Sequence, residues 1–337
     1  MNKKILIATL LLTAWSLPAQ TVQAGETPSA RPFAKTVPAL TGAPPEGFTI
    51  GRGSIAYNGS VDGSIYKVDL RSGEGEVLVP AEPGFDIFTE CYKLGMRVDA
   101  RSNYLFVAGC LGGNAYVFDA ETGDEIMNYE LAPAFSTVIN DLAITREAVY
   151  FTDFTQPFLY RLPLAGNGRL PPQSAVMALP LSGDFVADDP TCCAGNGIVA
   201  TPDGETLIVG NSNNAQIYKV DPATGHADRI DVNPPLAGFI DGIAMRGKTL
   251  YIMTPYDFPG PPFSFDSIQV VALDKNLLTG TLVQVITDPD LDGVASGAFF
   301  GNSLYVNNAR YTTFPEADTE YWLTRLDIRG KRGRDKQ

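Results

Sequence analysis

The sequence predicts an all-β chain folded as a single six-bladed β-propeller with four-stranded antiparallel blades. Three observations predict it: a hairpin sentence that recurs six times, a strand phrase that follows every copy, and a period of roughly 45 to 55 residues. The clearest hairpin is GNGIVATPDGETLIV (195–209), in which a polar Asn-Gly opens an apolar strand, a Pro-Asp-Gly turn follows, and a second apolar strand returns. Related copies are EGFTIGRGSIAY (46–57), LGMRVDARSNYLFV (94–107), NDLAITREAVYF (140–151), DGIAMRGKTLYI (241–252) and ASGAFFGNSLYV (295–306). The second phrase is SIYKVD, NAYVFD, FLYRLP, QIYKVD, QVVALD and WLTRLD, each an alternating strand ending at 69, 119, 163, 221, 274 and 327. One such blade cannot bury both faces alone, so the repeats close into a ring.

Taken in order, residues 1–24 read as a secretory signal peptide. Lys3 and Lys4 precede the apolar run 5–12, and Val-Gln-Ala closes the segment at Ala24. The run is too short to span a bilayer as a stop-transfer helix, so a secreted or periplasmic protein is expected. Residues 25–45 form an N-terminal arm rich in Pro, Ala and Thr whose end, 33–40, alternates like a strand. The propeller occupies 46–328, and 329–337 is a basic tail. Blade six has no outer strand of its own, so the N-terminal strand is expected to supply it and close the ring, hiding two sheet edges.

The chain carries 25 Lys and Arg against 38 Asp and Glu. Removing the signal leaves 23 − 38, or −15, which argues against nucleic acid or an anionic membrane as partner. A small-molecule ligand at the central channel is the expected partner. In a propeller every inner strand starts at the same end of the channel. The six starting residues are Glu46, Leu94, Asn140, Asn196, Asp241 and Ala295, four oxygen donors and two apolar residues with no base among them. The residues that follow are mostly Gly, as a crowded axis requires.

Two carboxylates and two amides buried together lose hydration unless something compensates. A divalent cation would do so, most readily Ca²⁺, which takes six to eight oxygens; Mg²⁺, Mn²⁺ and Zn²⁺ are the other candidates. The bland reading is a wet polar funnel. Zinc prefers His or Cys, and the single histidine, His226, falls in a turn.

These residues carry a resemblance. Six repeats with Glu46-Gly47, Asn140-Asp141, Asn196-Gly197 followed by Thr-Pro-Asp-Gly, and Asp241-Gly242 at strand starts resemble the senescence-marker-protein/gluconolactonase family of calcium-dependent propellers, which is related to diisopropyl fluorophosphatase. The resemblance implies that Glu46, Asn196 and Asp241 hold a cation and that Asn140 is a further ligand or a substrate contact. It implies metal-assisted hydrolysis of lactones or related esters, with Asp241 as base or nucleophile and Asp141 orienting a ligand from behind. The rival expectation is a non-enzymatic binding module whose central ion is structural.

Four cysteines suit an oxidising compartment. The hairpin turn at 100–103 brings Cys91 and Cys110 side by side, so a disulfide between them is reasonable. Cys192 and Cys193 could pair with each other, or one could cross to Cys91. The loops 81–92, 181–194, 254–266 and 311–321 are expected to build an aromatic rim with Phe85, Phe88, Phe185, Tyr256, Phe258, Phe263, Phe265, Tyr311 and Phe314.

Overall fold

A computed structural model describes residues 33–41, 43–185, 195–255, 266–316 and 318–328. Residues 1–24, where a signal peptide is expected, the tail 329–337 and Cys192–Cys193 lie outside the described residues. Six sheets, antiparallel apart from two short edges, follow one another along the chain, and the opening strand of each hairpin copy lies innermost. The inner strands are Pro45–Ile50, Met96–Asp99, Ile139–Ile144, Gly195–Ala200, Ile243–Arg246 and Val294–Phe300. Each packs beside the next, and the sixth meets the first, so the ring is closed.

Alternation along each strand explains the core. Successive side chains point to the two neighbouring blades, so every blade contributes apolar residues to two seams. The buried clusters lie at the seams. One joins blades two and three through Phe106, Val117, Leu142 and Phe151, and another joins blades four and five through Ile208, Ile217, Ile243 and Ile252. Each fully buried side chain of this kind contributes about 1.5 to 3 kcal/mol.

The expected closure is present. Thr36–Thr41 pairs antiparallel with Glu320–Asp327, the third strand of blade six, with Val37 opposite Leu323. Two blades differ from the expected four strands. Ser182–Gly183 adds a parallel edge to blade four at His226–Arg229, and Asp231–Asn233 does the same for blade five at Thr279–Ile286. Both are short links between blades that pair with the sheet edge they pass, which shields that edge.

The Cys91–Cys110 disulfide is formed, so neither cysteine is available to residues 192 or 193. Cys110 also exchanges two backbone hydrogen bonds with Ile139, tying blade two to blade three. The acidic run 288–293 is held by cations: Lys35 lies 2.7 Å from both Asp288 and Asp290, and Arg310 lies 3.0 Å from Asp292.

Candidate metal centre at the propeller axis

Glu46, Leu94, Asn140, Asn196, Asp241 and Ala295 all line one small cavity at the axis, together with Gly95, Asp141, Gly242 and Ser296. Its volume is about 10 Å³, roughly the space one water-sized sphere needs. No lining residue is basic.

The backbone explains how six strands can converge so tightly. Four inner strands shift register at this end, between Pro45 and Phe48, Ile139 and Leu142, Gly195 and Ile198, and Val294 and Gly297. Such bulges let consecutive residues aim in unusual directions. Here the second residue of the pair turns its backbone to the next blade. Gly95 N–H donates to Asn140 O at 2.8 Å, Gly197 N–H to Asp241 O at 3.2 Å and Gly242 N–H to Ala295 O at 2.8 Å. Three seams have no such glycine donor to the next blade, and at two of them a side chain takes its place. Thr152 Oγ1 donates to Asn196 O at 2.8 Å, and Asn307 Nδ2 donates to Glu46 O at 3.2 Å. A Cβ on Gly47 would stand 2.0 Å from Leu94 O, and one on Gly197 2.3 Å from Asp241 O.

The carboxylates are bridged by a residue the sequence placed only on the rim. Tyr311 turns its hydroxyl into the axis, 2.7 Å from Glu46 Oε1 and 2.9 Å from Asp241 Oδ2, although its ring is partly exposed. Burial pushes the Glu46 carboxyl up to about 7, against the Tyr311 hydrogen bond, which lowers it. Asp241 is pushed well above its ordinary value by burial first and by the Glu46 charge second. Burial and the same two carboxylates push the Tyr311 phenol up.

The amides are differently placed. Asn196 Nδ2 donates to Ser212 Oγ at 3.0 Å, and Ser212 Oγ donates to Ile240 O at 2.6 Å. That commits the amide nitrogen and leaves its carbonyl oxygen as the acceptor. Asn140, half-buried, has no side-chain hydrogen bond among the described residues. Asp141 Oδ2 accepts from Arg97 Nη2 at 3.3 Å and from the Ile198 N–H at 3.2 Å, while its Oδ1 is buried with no partner. Burial raises the Asp141 carboxyl, with the Arg97 charge opposing. Arg97 and Asp141 thus form an ion pair between blades two and three.

Other sequence-stated rim residues divide. Phe88 and Phe314 are exposed and stack at 6.0 Å. Phe185 is not on the rim: it is buried and meets Tyr218 at 4.8 Å, because the link before it folds back onto blade four. Tyr256, Phe258, Phe263 and Phe265 lie outside the described residues. Sequence reasoning missed Ser212, Asn307 and Thr152. The signal was present as a polar residue near the end of most second strands, Ser60, Asp153, Ser212, Thr254 and Asn308.

The donor set fits a hard cation. Two carboxylates and two amide oxygens around a one-sphere cavity are the ligands Ca²⁺ takes. Among the described residues no three His, Cys, Asp or Glu side chains form a metal-binding group, and His226 is exposed on an outer strand of blade four, so nothing here favours zinc.

Fold and site together define a class: a six-bladed propeller with an oxygen-lined, desolvated acidic centre at one end of its channel. No family model matches the chain, and no curated protein matches it. Solved structures do. The chain is similar to a calcium-binding protein, regucalcin, from Agrobacterium tumefaciens strain C58, with a TM-score of 0.58, 18% identity, and 88% of this chain and 96% of that one covered. It is similar to the major allergen Mala s 1 of Malassezia sympodialis, with a TM-score of 0.59, 11% identity and coverage of 90% and 99%. A protein from Lactobacillus plantarum matches with a TM-score of 0.54, 16% identity and coverage of 80% and 79%. At these identities the likeness establishes the fold.

Proposed function

We propose that this chain is an exported, divalent-cation-dependent hydrolase of lactones or related esters, of the gluconolactonase kind. The observation that carries the reading is the pairing of Glu46 and Asp241 through one hydroxyl, with both carboxyls raised by burial. Two desolvated acids held this closely are a poor way to build a stable core and a good way to hold a cation. The similarity to a calcium-binding propeller supports Ca²⁺ as the first candidate, with Mg²⁺, Mn²⁺ and Zn²⁺ behind it. The disulfide supports export to an oxidising compartment.

Glu46, Asn196 and Asp241 would hold the ion. Bound there, a divalent cation supplies Lewis acidity towards a carbonyl oxygen and lowers the pKa of water. Ser212 keeps the Asn196 oxygen available by occupying its nitrogen. Asn140, uncommitted at the same rim, would contact the cation or the substrate carbonyl. Asp241, once deprotonated, takes the proton from the attacking water and returns it to the alkoxide oxygen released as the acyl C–O bond breaks. Alternatively it attacks the carbonyl carbon itself, expelling that alkoxide and leaving an acyl anhydride that water hydrolyses. Asp141, clamped by Arg97 and the Ile198 N–H, fixes the backbone that carries Asn140.

The test is calorimetric titration of chelator-treated protein with Ca²⁺, beside the Asp241→Ala variant, followed by a lactone and aryl-ester screen with and without the ion. Stoichiometric binding that the variant loses, with ion-dependent turnover, is expected. Binding without turnover on any ester would leave the binding-module alternative, and no binding would remove the cation from the reading.

A further inference from the structure

A second cavity, of about 320 Å³, opens over blade two and shares no residue with the axial one. Its size lies within the range of small-molecule sites. It belongs to the same end of the propeller, because Tyr92 in its wall precedes Leu94 at the axis by two residues, about 7 Å of chain at most. The Cys91–Cys110 disulfide stands beside it, with Cys91 in the lining.

The lining combines aromatic faces with carboxylates and contains no basic side chain. Tyr92, Tyr116 and Phe135 supply rings, and Glu90 and Glu130 supply acids. Glu90 is tied locally, accepting from the Asp86 N–H at 2.8 Å. The Glu130 carboxylate has no hydrogen-bond or ion-pair partner among the described residues. Lys93, whose Nζ sits 4.9 Å from the Tyr116 ring centroid, is buried and is neutralised by Glu82 at 3.2 Å. It therefore does not serve Glu130.

Phe135 is the least expected member. It is 79% exposed, and its backbone has φ of 60°, a conformation a bulky side chain rarely adopts. Its N–H donates to Leu111 O at 2.8 Å, which holds the strained turn in place. A phenylalanine held in solvent beside a cavity, at a conformational cost, is placed for contact with something else.

We propose that this cavity is a ligand site for an organic ammonium ion carrying an apolar group. Aromatic rings attract a cation over their faces and accept an apolar substituent, and the unpaired Glu130 carboxylate supplies the counter-charge. Two glutamates beside a cysteine that is tied up in a disulfide do not make an inorganic metal site, consistent with no such group among the described residues. An anionic ligand would face Glu90 and Glu130, with the nearby Lys93 already matched to Glu82.

The experiment is calorimetric titration of the full chain with benzylammonium and with neutral benzyl alcohol, at two salt concentrations. Saturable one-to-one binding of benzylammonium is expected, weakened by salt and at least about tenfold tighter than the alcohol. Phe135→Ala and Glu130→Gln, both on exposed side chains, should each weaken it about fivefold, while Asp241→Ala should leave it unchanged. Absence of saturable binding, equal binding of the alcohol, or insensitivity to both surface variants overturns the proposal. So does loss in Asp241→Ala, which would place the amine at the axis instead.

Discussion

The Tyr311 hydroxyl lies 2.7 Å from Glu46 Oε1, although 265 residues separate them in the chain. Asp241 Oδ2 is 2.9 Å from the same hydroxyl oxygen. One phenol has one proton, so short contacts to two carboxyls place a second proton within the trio. The proton count at the axis is therefore part of how the fold tolerates a buried and a half-buried acid side by side.

Tyr311→Phe should expose that dependence. The ring is partly in solvent and its loss of oxygen leaves no core cavity, but both acids lose the hydrogen bond that offsets their burial. Without added cation the variant should be less stable by about 1 to 3 kcal/mol. Saturating Ca²⁺ should then raise its melting temperature more than it raises that of the wild type. An equal increment in both proteins would show that the hydroxyl does not share space or charge with the ion.

The pH dependence has a definite sign. The Glu46 carboxyl titrates near 7 in the folded chain and near 4.5 when unfolded, and Asp241 is raised in the same direction. Between those values the folded state binds more protons, so this contribution to stability is fully present below about 4.5 and is lost as pH rises through about 7. In chelator, the urea midpoint should fall between pH 5 and pH 8. With saturating Ca²⁺ the fall should be smaller, since the ion replaces the proton as counter-charge. A midpoint that rises with pH in chelator would contradict the buried pair.

Ser212→Ala tests the positioning of Asn196. The serine receives the amide nitrogen and passes its own proton to Ile240 O. Its removal frees the amide to rotate while leaving every proposed ligand in place. Cation affinity should weaken roughly 10- to 100-fold, as it does when groups supporting metal ligands are removed. Stability without the ion should drop by only about 1 kcal/mol. Calorimetry and urea unfolding on the same sample separate the two effects.

At Gly47 the axis itself can be probed. A methyl group there would meet Leu94 O at 2.0 Å and Leu94 C at 2.9 Å, backbone atoms of the next blade that cannot swing aside. Gly47→Ala should cost about 3 kcal/mol, the upper range for overpacking. Gly166→Ala, where a Cβ meets nothing within 4 Å, should be neutral. Similar melting temperatures for the two variants would mean the blades can part at no cost.

Much of this was legible because it repeats. One residue at the start of each hairpin copy recurs in register, so its six representatives could be placed around one axis from the sequence, although the strands themselves begin within two residues to either side. The glycines after them were legible too, since only they permit backbone contact between blades. Tyr311 was not, because it lies on a loop outside the repeat and its function rests on a hydroxyl reaching back to Glu46. Phe185 looked like a rim aromatic for the same reason: period reveals nothing about where a link between blades folds. The short parallel edges at Ser182–Gly183 and Asp231–Asn233 have no alternating pattern to announce them. Ser212 was visible only as one of several polar strand ends.

The closing strand offers the sharpest test of the ring. Val37 is fully buried between blades six and one, among Phe48, Val68 and Leu323, while its neighbour Thr36 is exposed on the same strand. Val37→Asp puts a carboxylate with no partner into that cluster and should cost about 3 kcal/mol or more. Thr36→Asp should stay within about 0.5 kcal/mol. If the N-terminal strand holds the ring shut, Val37→Asp should also free the edge of Glu320–Asp327, and an uncovered strand edge recruits other chains. Concentration-dependent self-association by light scattering, seen in Val37→Asp and absent in Thr36→Asp, is the expected result. A Val37→Asp protein as stable and as monodisperse as the wild type would mean that blade six completes itself without this strand.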